Sequence, residues 1–237
     1  MITQIQFDGR HFWADTENMP QWRHPVDGYL FGSEWERLQA EMLVKTMQPD
    51  WGFVDIGANF GAYAFLAATR THAPVIAFEP EWYNHDILMK NLEPYPHATA
   101  YHLAIADEMK IMRLELTSDQ CGGHRLKEMK GDCGSFQVAH CYPLDWFELD
   151  AKAIKVDVEG TGLDIIKGGE RTFRNAHLVM FEIHLIDSFT GERTQEPECE
   201  RILKEWGFEI DLWQFNYPIV GIIAHKGIEN PIGGGKP

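Results

Sequence analysis

Along this chain, short and mostly apolar runs alternate with segments in which apolar residues recur at helical spacing. Such apolar runs occupy residues 51–56, 74–78, 153–158 and 178–184. A strand covered by other structure on both faces has this composition. Between the runs, apolar residues recur at helical spacing, as at Tyr83, Ile87 and Leu92. The alternation predicts an α/β fold in which helices connect the strands of a mostly parallel sheet.

The pattern gives approximate bounds for each element of this sheet. We expect a first strand that ends at Ile56 and a third strand at Ala100–Ile105. The other predicted strands cover 74–78, 153–158, 178–184, 208–213 and 219–225. The predicted helices cover 60–69, 83–92, 163–173 and 198–206, the last of them stopped by Gly207.

Two segments depart from this rhythm. Residues 111–116 and 136–141 alternate like antiparallel strands, and the polar stretch between them predicts an inserted β-hairpin with a mobile loop that acts as a lid. At the N-terminus, two alternating segments around Asp8 and Gly9 predict another hairpin, followed by a helix. We therefore divide the chain into an accessory segment (1–48), a main domain (49–228, with the insertion at about 108–143) and a flexible tail (229–237).

Composition restricts the classes of function. With 36 acidic residues against 21 lysines and arginines, the formal charge of the 237-residue chain is −15, which disfavours a nucleic-acid substrate. No apolar run approaches the ~20 residues of a membrane span. The first residues lack a basic segment and an apolar stretch, and four cysteines do not suggest a disulfide framework, so we expect a cytoplasmic protein.

The stretch from Phe53 to Gly61 carries the strongest functional signal. A buried strand leads into a turn in which Gly57 and Gly61 let the backbone approach a ligand, and a helix N-terminus follows. Glu79, at the end of the second strand, is placed to hold ribose hydroxyls. The sequence thus predicts a nucleoside cofactor site, although a tight turn without a ligand is the alternative.

The glycine spacing distinguishes between cofactors. A dinucleotide fingerprint needs G-x-G-x-x-G, whereas here Asp55 is followed by Gly57 and Gly61 without a G-x-G pair. This looser turn resembles the first motif of class I methyltransferases, which use S-adenosylmethionine. An oxidoreductase that uses NAD, or a nucleotide-binding module without chemistry, remains the alternative function.

Several further motifs in register resemble the FkbM family of S-adenosylmethionine-dependent methyltransferases. They are Val54–Gly61, Ala77–Pro80, Asn91–Leu92, Leu144–Asp145, Lys155–Gly160, Ile166–Gly168 and Phe181–His184. The resemblance implies a Rossmann-like, seven-stranded, mostly parallel sheet with a reversed last strand, and O-methyl transfer to a hydroxyl of a sugar, a glycan or a small natural product. The family often has an acid where this chain has Gly162.

The cofactor contacts follow from the motif positions. The methionine end would meet Asp55, Gly57, Asn59 and Gly61, and further cofactor contacts are expected at Ala58, Phe60 and Asp157. Glu79 and Pro80 would serve the ribose, while Ala104, Ile105 and Asp107 would lie near adenine. Asp107 has a second interpretation as a simple turn residue.

Four polar residues at the ends of two neighbouring strands are candidates for catalysis. Asp157 and Glu159 follow the fourth strand, and Glu182 and His184 end the fifth. We expect Asp157 or His184 to act as the base and Glu159 to orient the acceptor. One alternative is that Asp157, Glu159 and Glu182 hold Mg²⁺. Another is that Glu159 and Glu182 cap helices or pair with Lys155 and Lys167.

Two other groups of residues have open interpretations. A zinc site is a weak alternative for Cys121, His124, Cys133, His140 and Cys141, because the spacing offers no second close pair. Trp213 could stack on a sugar ring, although core packing suits it better. The acceptor and the oligomeric state are not readable from the sequence.

Overall fold

The structure, a computed structural model, describes residues 2–18, 34–116, 123–129, 136–186, 194–195, 197–216 and 219–228. For Glu34, Trp35 and residues 212–216 it describes the backbone alone. The predicted tail at 229–237 and two of the four cysteines, Cys121 and Cys133, lie outside the described residues. The division into domains therefore stays a prediction.

Strands and helices alternate within the described residues. The strands are β1 (Ile2–Phe7), β2 (Arg10–Asp15), β3 (Gly52–Ile56), β4 (Val75–Phe78), β5 (Ala98–Tyr101), β6 (Ala104–Ile105), β7 (Lys110–Glu115), β8 (Arg125–Lys127), β9 (Phe136–Tyr142), β10 (Ala151–Val156), β11 (Leu178–His184), β12 (Glu209–Asn216) and β13 (Ile219–His225). The helices are α1 (Glu34–Thr46), α2 (Ala62–Ala68), α3 (Trp82–Leu92), α4 (Gly162–Gly168), α5 (Glu170–Asn175) and α6 (Pro197–Glu205).

Seven of these strands form the main sheet, in the order β12-β13-β11-β10-β3-β4-β5. The five consecutive strands from β11 to β5 are parallel, and β13 is antiparallel to both of its neighbours. The chain leaves β3 toward one edge of the sheet and, from β10, builds toward the other, so the strand order reverses between these two strands. This topology confirms the predicted fold, and it sets a ligand crevice at the carboxyl ends of β3 and β10.

Each face of the main sheet packs against its own hydrophobic core. The core on one face includes the N-terminal hairpin, α2 and α3, and the rings of Phe7, Phe12 and Phe65 contact one another in it. The core on the other face includes Ile165, Phe173 and residues of α6. Because both faces are covered, the central strands consist mostly of apolar residues. Among the described helices, none is both long and apolar enough to cross a bilayer.

The N-terminal hairpin is attached to the rest of the fold by hydrogen bonds. Asp8 and Gly9 have φ values of +50° and +70°, the conformation of a tight two-residue hairpin turn. Asn91 of α3 accepts a hydrogen bond from the Trp13 amide at 2.7 Å and donates to the carbonyl of Phe60 at 2.7 Å. The accessory hairpin is thereby linked to the turn that follows β3.

The insertion belongs to a second, four-stranded sheet with the order β6-β9-β7-β8. Strands β7 and β9 are antiparallel, as the alternation predicts. The loop suggested as a lid lies mostly outside the described residues, at 117–122 and 130–135, so its role as a lid stays a prediction.

Two boundary predictions are wrong. The predicted third strand, Ala100–Ile105, is split between the two sheets, because the amide of Leu103 bonds back to the carbonyl of Tyr101 and ends β5. Ala104 and Ile105 then pair with β9. The predicted helix at 163–173 is two helices, α4 and α5, which are separated by Gly169. A Cβ atom on Gly168 would lie 2.0 Å from the carbonyl oxygen of Ala106, so a larger residue does not fit there.

Candidate active site

The turn after β3 owes its shape to glycine. Gly57 has a φ of +76°, and a Cβ atom there would lie 1.9 Å from the carbonyl oxygen of Asp157, at the end of the adjacent strand. The amides of Gly57 and Ala58 both donate to the carbonyl of Phe78 at 3.0 Å. The turn therefore lies against the ends of both neighbouring strands, and an L residue would displace it.

Asp55 ties strand β3 to helix α2. Its carboxylate, which is 1% exposed, accepts a hydrogen bond from the amide of Ala64 at 2.9 Å. Burial raises the pKa of Asp55 to about 7, although the positive charge of Lys155 opposes the rise. Asp55 thus stabilises the start of α2, and its carboxylate also lines the cleft described below.

Glu79 follows β4, and two backbone amides fix its carboxylate. Oε2 accepts from the amide of Asn59 at 2.8 Å, and Oε1 accepts from the amide of Glu81 at 2.9 Å. Burial raises the pKa of Glu79 to about 7. Each carboxylate oxygen has a second lone pair, so Glu79 retains acceptor capacity for a ligand hydroxyl.

A cleft of about 270 Å³ opens at the carboxyl ends of β3, β4 and β10. Of the sequence-predicted residues it brings together Asp55, Gly57, Ala58, Asn59, Glu79, Pro80, Ala104, Ile105, Asp157, Glu159 and Glu182. Phe60 is buried in the core instead, and neither it nor Gly61 lines the cleft. Asp107 binds Lys110 at 2.6 Å outside the cleft. The functional roles assigned to all of these residues stay predictions.

Sequence reasoning missed several residues of the cleft wall. Tyr63 of α2 and Glu36 of α1 line one part of the cleft. Leu114, His124 and Leu126, which belong to or adjoin the second sheet, line another part. The apolar alternation of β7 could have identified Leu114 as inward-facing. No local signal shows that this face meets the cofactor turn, because the contact depends on how the two sheets pack.

Lys155 and Asp157 form an ion pair at the end of β10. The ammonium group of Lys155 is buried and lies 2.8 Å from Oδ2 of Asp157 and 5.0 Å from the centre of the Tyr63 ring. Burial alone would lower the pKa of Lys155, but the carboxylates of Asp157 and Glu182 raise it on balance. The lysine therefore stays charged. In the sequence, Lys155 was a candidate partner of Glu159 or Glu182, and its closest carboxylate is instead that of Asp157.

His184 lies between two carboxylates at the end of β11. Its Nδ1 is 3.5 Å from Glu159 and its Nε2 is 3.5 Å from Glu182. Both glutamates line the cleft, whereas His184 is buried behind them. Burial raises the pKa of Glu159, and the neighbouring His184 opposes that rise. A carboxylate with a raised pKa is a better proton acceptor, so this cluster suits base catalysis.

The structure gives no support to a metal site. Within the described part of the chain, no three histidine, cysteine, aspartate or glutamate side chains are arranged to hold an ion. The Mg²⁺ alternative for Asp157, Glu159 and Glu182 is therefore unsupported. The zinc alternative includes Cys121 and Cys133, which lie outside the described residues, as does the side chain of Trp213.

The cleft has a strongly acidic lining. Its carboxylates belong to Glu36, Asp55, Glu79, Asp157, Glu159 and Glu182, and the lysine among the lining residues is the paired Lys155. Such a lining favours a ligand that carries positive charge and hydroxyl groups. An uncharged hydroxyl also suits it, because that group can donate a hydrogen bond to Glu159.

The match to a family model identifies the family to which this chain belongs. The model described as the methyltransferase FkbM domain matches residues 55–210, from Asp55 in β3 into β12. The chain belongs to the FkbM methyltransferase family. It thus carries a methyltransferase domain of the S-adenosylmethionine-dependent class, as the motifs predict.

A curated relative of this FkbM-family chain is the hexuronic acid methyltransferase AglP of Haloferax volcanii. The two sequences are 24% identical over 145 residues. The match covers 60% of this chain and spans 60% of the length of AglP.

Solved structures of other methyltransferases share the fold. An rRNA methylase from Streptococcus thermophilus superposes with a TM-score of 0.51 at 11% identity, covering 83% of this chain and 98% of the other. A putative rRNA methylase from Clostridium thermocellum gives a TM-score of 0.52 at 12% identity, covering 82% and 97%. At these identities the likeness is one of fold.

Proposed function

We propose that this FkbM-family protein transfers the methyl group of S-adenosylmethionine to a hydroxyl group of a sugar, a glycan or a small natural product. The observation that carries the proposal is the cleft, which is lined by the glycine turn and Glu79 together with Asp157 and Glu159. The name of the relative AglP, a hexuronic acid methyltransferase, supports a sugar-like acceptor.

The cofactor is assigned to the end of the cleft nearest the glycine turn. There Glu79 would accept hydrogen bonds from the ribose hydroxyls, and Ala104 and Ile105 would lie near the adenine. The sulfonium group and the ammonium group of the methionine part are both cationic. The buried carboxylate of Asp55 and the partly exposed carboxylate of Asp157 favour this charge.

The acceptor hydroxyl is assigned to the opposite end, beside Glu159. Methyl transfer is an in-line displacement in which the acceptor oxygen forms a bond to the methyl carbon as the carbon–sulfur bond breaks. The hydroxyl proton passes to Glu159, and the electron pair of the breaking bond stays on sulfur as the thioether. His184 holds Glu159 in place from behind.

This assignment changes the roles expected for the catalytic residues. Asp157 is held by Lys155, which makes it better suited to position charged groups than to accept a proton. Glu159 lines the cleft, whereas His184 does not, so the proposed proton acceptor is Glu159 with His184 as its support.

A screen with radiolabelled methyl donor tests the proposal. The purified protein is incubated with labelled S-adenosylmethionine and with fractions of sugars, glycans and small metabolites. We expect a labelled product that resists mild alkali, because a methyl ether on a hydroxyl is stable under conditions that hydrolyse a methyl ester. An alkali-labile product would move the reaction to a carboxylate.

A further inference from the structure

A chain of hydrogen bonds joins the inserted sheet to the cofactor turn. It begins at Gln137 in β9, passes through Glu81 to Glu79, and ends at Asn59 in the glycine turn. Glu79 and Asn59 line the cleft, whereas Gln137 does not touch it. Nothing in the motif pattern singles out Gln137.

Gln137 contacts the loop after Glu79 at two points. Its side-chain amide donates to Oε1 of Glu81 at 2.5 Å, and its carbonyl oxygen accepts from the amide of Trp82 at 3.1 Å. The Trp82 amide is the first of helix α3 and has no partner within the helix. One side chain thus satisfies both a buried carboxylate and a helix N-terminus.

Glu81 depends on such a donor because its side chain is 4% exposed. Its second oxygen accepts from the amide of Asn84 at 2.7 Å and so caps α3. A buried carboxylate needs several donors, and a hydrogen bond to a charged group is stronger than one between neutral groups. Without Gln137, Glu81 would lose one of these donors, and its position would be less well fixed.

The position of Glu81 determines that of Glu79. The amide of Glu81 donates to Oε1 of Glu79, and Oε2 of Glu79 accepts from Asn59. A shift of the Glu81 backbone would therefore rotate the carboxylate that faces the ribose. Gln137 is also directly opposite Leu114 in the β7–β9 ladder, so the two residues share one face of the second sheet. Leu114 on this face lines the cleft.

We propose that Gln137 is a positioning residue for ribose recognition, which it controls through Glu81 and the carboxylate of Glu79. The inserted sheet then has two roles, because it walls the cleft and also aligns the cofactor loop. This inference rests on the proposed function, since it requires the cofactor ribose to bind at Glu79.

Two ligands and two variants test this inference by calorimetry, without knowledge of the acceptor. The ligands are S-adenosylhomocysteine and its 2′,3′-dideoxy analogue, which lacks the ribose hydroxyls. We expect Gln137→Leu to weaken binding of S-adenosylhomocysteine about tenfold and binding of the analogue less than about twofold. Val138→Thr, an exposed position of the same strand, should change neither affinity.

The outcomes separate this inference from the proposed function. Equal weakening of both ligands in Gln137→Leu, or no weakening of either, would overturn the inference. Failure of the unmutated protein to bind either ligand would contradict the proposed cofactor, and the inference would fall with it. Gln137→Asn, which shortens the side chain by one methylene, should show the same selective loss, and it serves as the test if the leucine variant does not fold.

Discussion

The two ends of the cleft hold their carboxylates in different ways. At the cofactor end, Asp55 and Glu79 accept hydrogen bonds from backbone amides. At the acceptor end, Glu159 lies against the side chain of His184. Asp157, which the proposed function sets beside the cationic part of the cofactor, lies against the side chain of Lys155. Backbone geometry fixes the first pair, whereas the second pair depends on neighbouring side chains. The carboxylate positions at the first end should therefore be sensitive to changes in the backbone, and those at the second end to single side-chain replacements.

The largest expected effect comes from a methyl group at the glycine turn. Gly57→Ala would drive a Cβ atom into the carbonyl of Asp157, and we expect it to lower the free energy of unfolding by more than about 3 kcal/mol and to abolish cofactor binding. Thermal unfolding and calorimetry with S-adenosylhomocysteine measure both effects.

Gly160→Ala is the matched control for this change. Gly160 also has a positive φ, +80°, but the nearest atom to its Cβ would be an Arg125 nitrogen at 3.5 Å. We expect a loss of only about 1 kcal/mol, from backbone strain alone. If both alanine variants lost the same stability, contact with Asp157 would not explain the shape of the turn.

Removal of the proposed base should affect chemistry and not binding. Glu159→Gln keeps the size of the side chain but cannot accept the hydroxyl proton, so we expect turnover to fall about 10²–10⁴-fold. The affinity for S-adenosylhomocysteine should stay within about twofold. Turnover close to that of the unmutated protein, measured with an acceptor from the labelling screen, would remove Glu159 from the mechanism.

Replacement of the buried lysine separates stability from activity. Lys155→Met fills similar space without charge, but it leaves Asp157 and the neighbouring Glu182 without their cation, which is costly for carboxylates that are not fully exposed. We expect the free energy of unfolding to fall by up to about 3 kcal/mol. Turnover should fall about tenfold or more, because Asp157 loses the partner that orients it. A large loss of stability with normal turnover would show that Lys155 is structural.

The smallest expected effect is a pH dependence at the cofactor end. Because burial raises the pKa of both Asp55 and Glu79 to about 7, each becomes ionised in the folded protein only near neutral pH. Ionised carboxylates favour a cationic ligand, so affinity for S-adenosylmethionine should rise several-fold between pH 6 and pH 8. Calorimetry at these pH values measures the rise, and a flat profile would contradict it.

The same two groups act on stability in the opposite direction. Their pKa values in the unfolded chain are the ordinary ones, below those in the folded state, so the unfolded state releases these protons first as the pH rises. Their contribution to the stability of the ligand-free protein should decline from about pH 4 to pH 7 and then level off. Thermal unfolding in that range, compared between the unmutated protein and Glu79→Gln, isolates the part that comes from Glu79.

The difference between the two ends also explains what the sequence could predict. The turn from Gly57 to Gly61 and the acid at Glu79 are encoded locally, since a strand, a glycine and a helix start follow one another in the chain. The alternation of buried strands and helices predicted a parallel sheet in the same way, whereas the seven strands with a reversed last strand were implied by the family resemblance.

The predictions that were wrong concern features that depend on contacts between residues distant in sequence. The alternation at 100–105 could not show that Ala104 and Ile105 join β9 in place of β4. The sequence also could not show that Lys155 would pair with Asp157 instead of Glu159, because both acids follow Lys155 within four residues. The contact between Gln137 and Glu81 joins residues that are 56 positions apart, one in β9 and the other at the start of α3, and no local pattern predicts it.

The most direct test of the account is the binding of S-adenosylhomocysteine and NAD to the unmutated protein and to Glu79→Gln. The account predicts binding of S-adenosylhomocysteine at one site, at least about tenfold weaker binding in the variant, and no binding of NAD. Binding of NAD without a response to S-adenosylhomocysteine, or equal affinity in the two proteins, would contradict it.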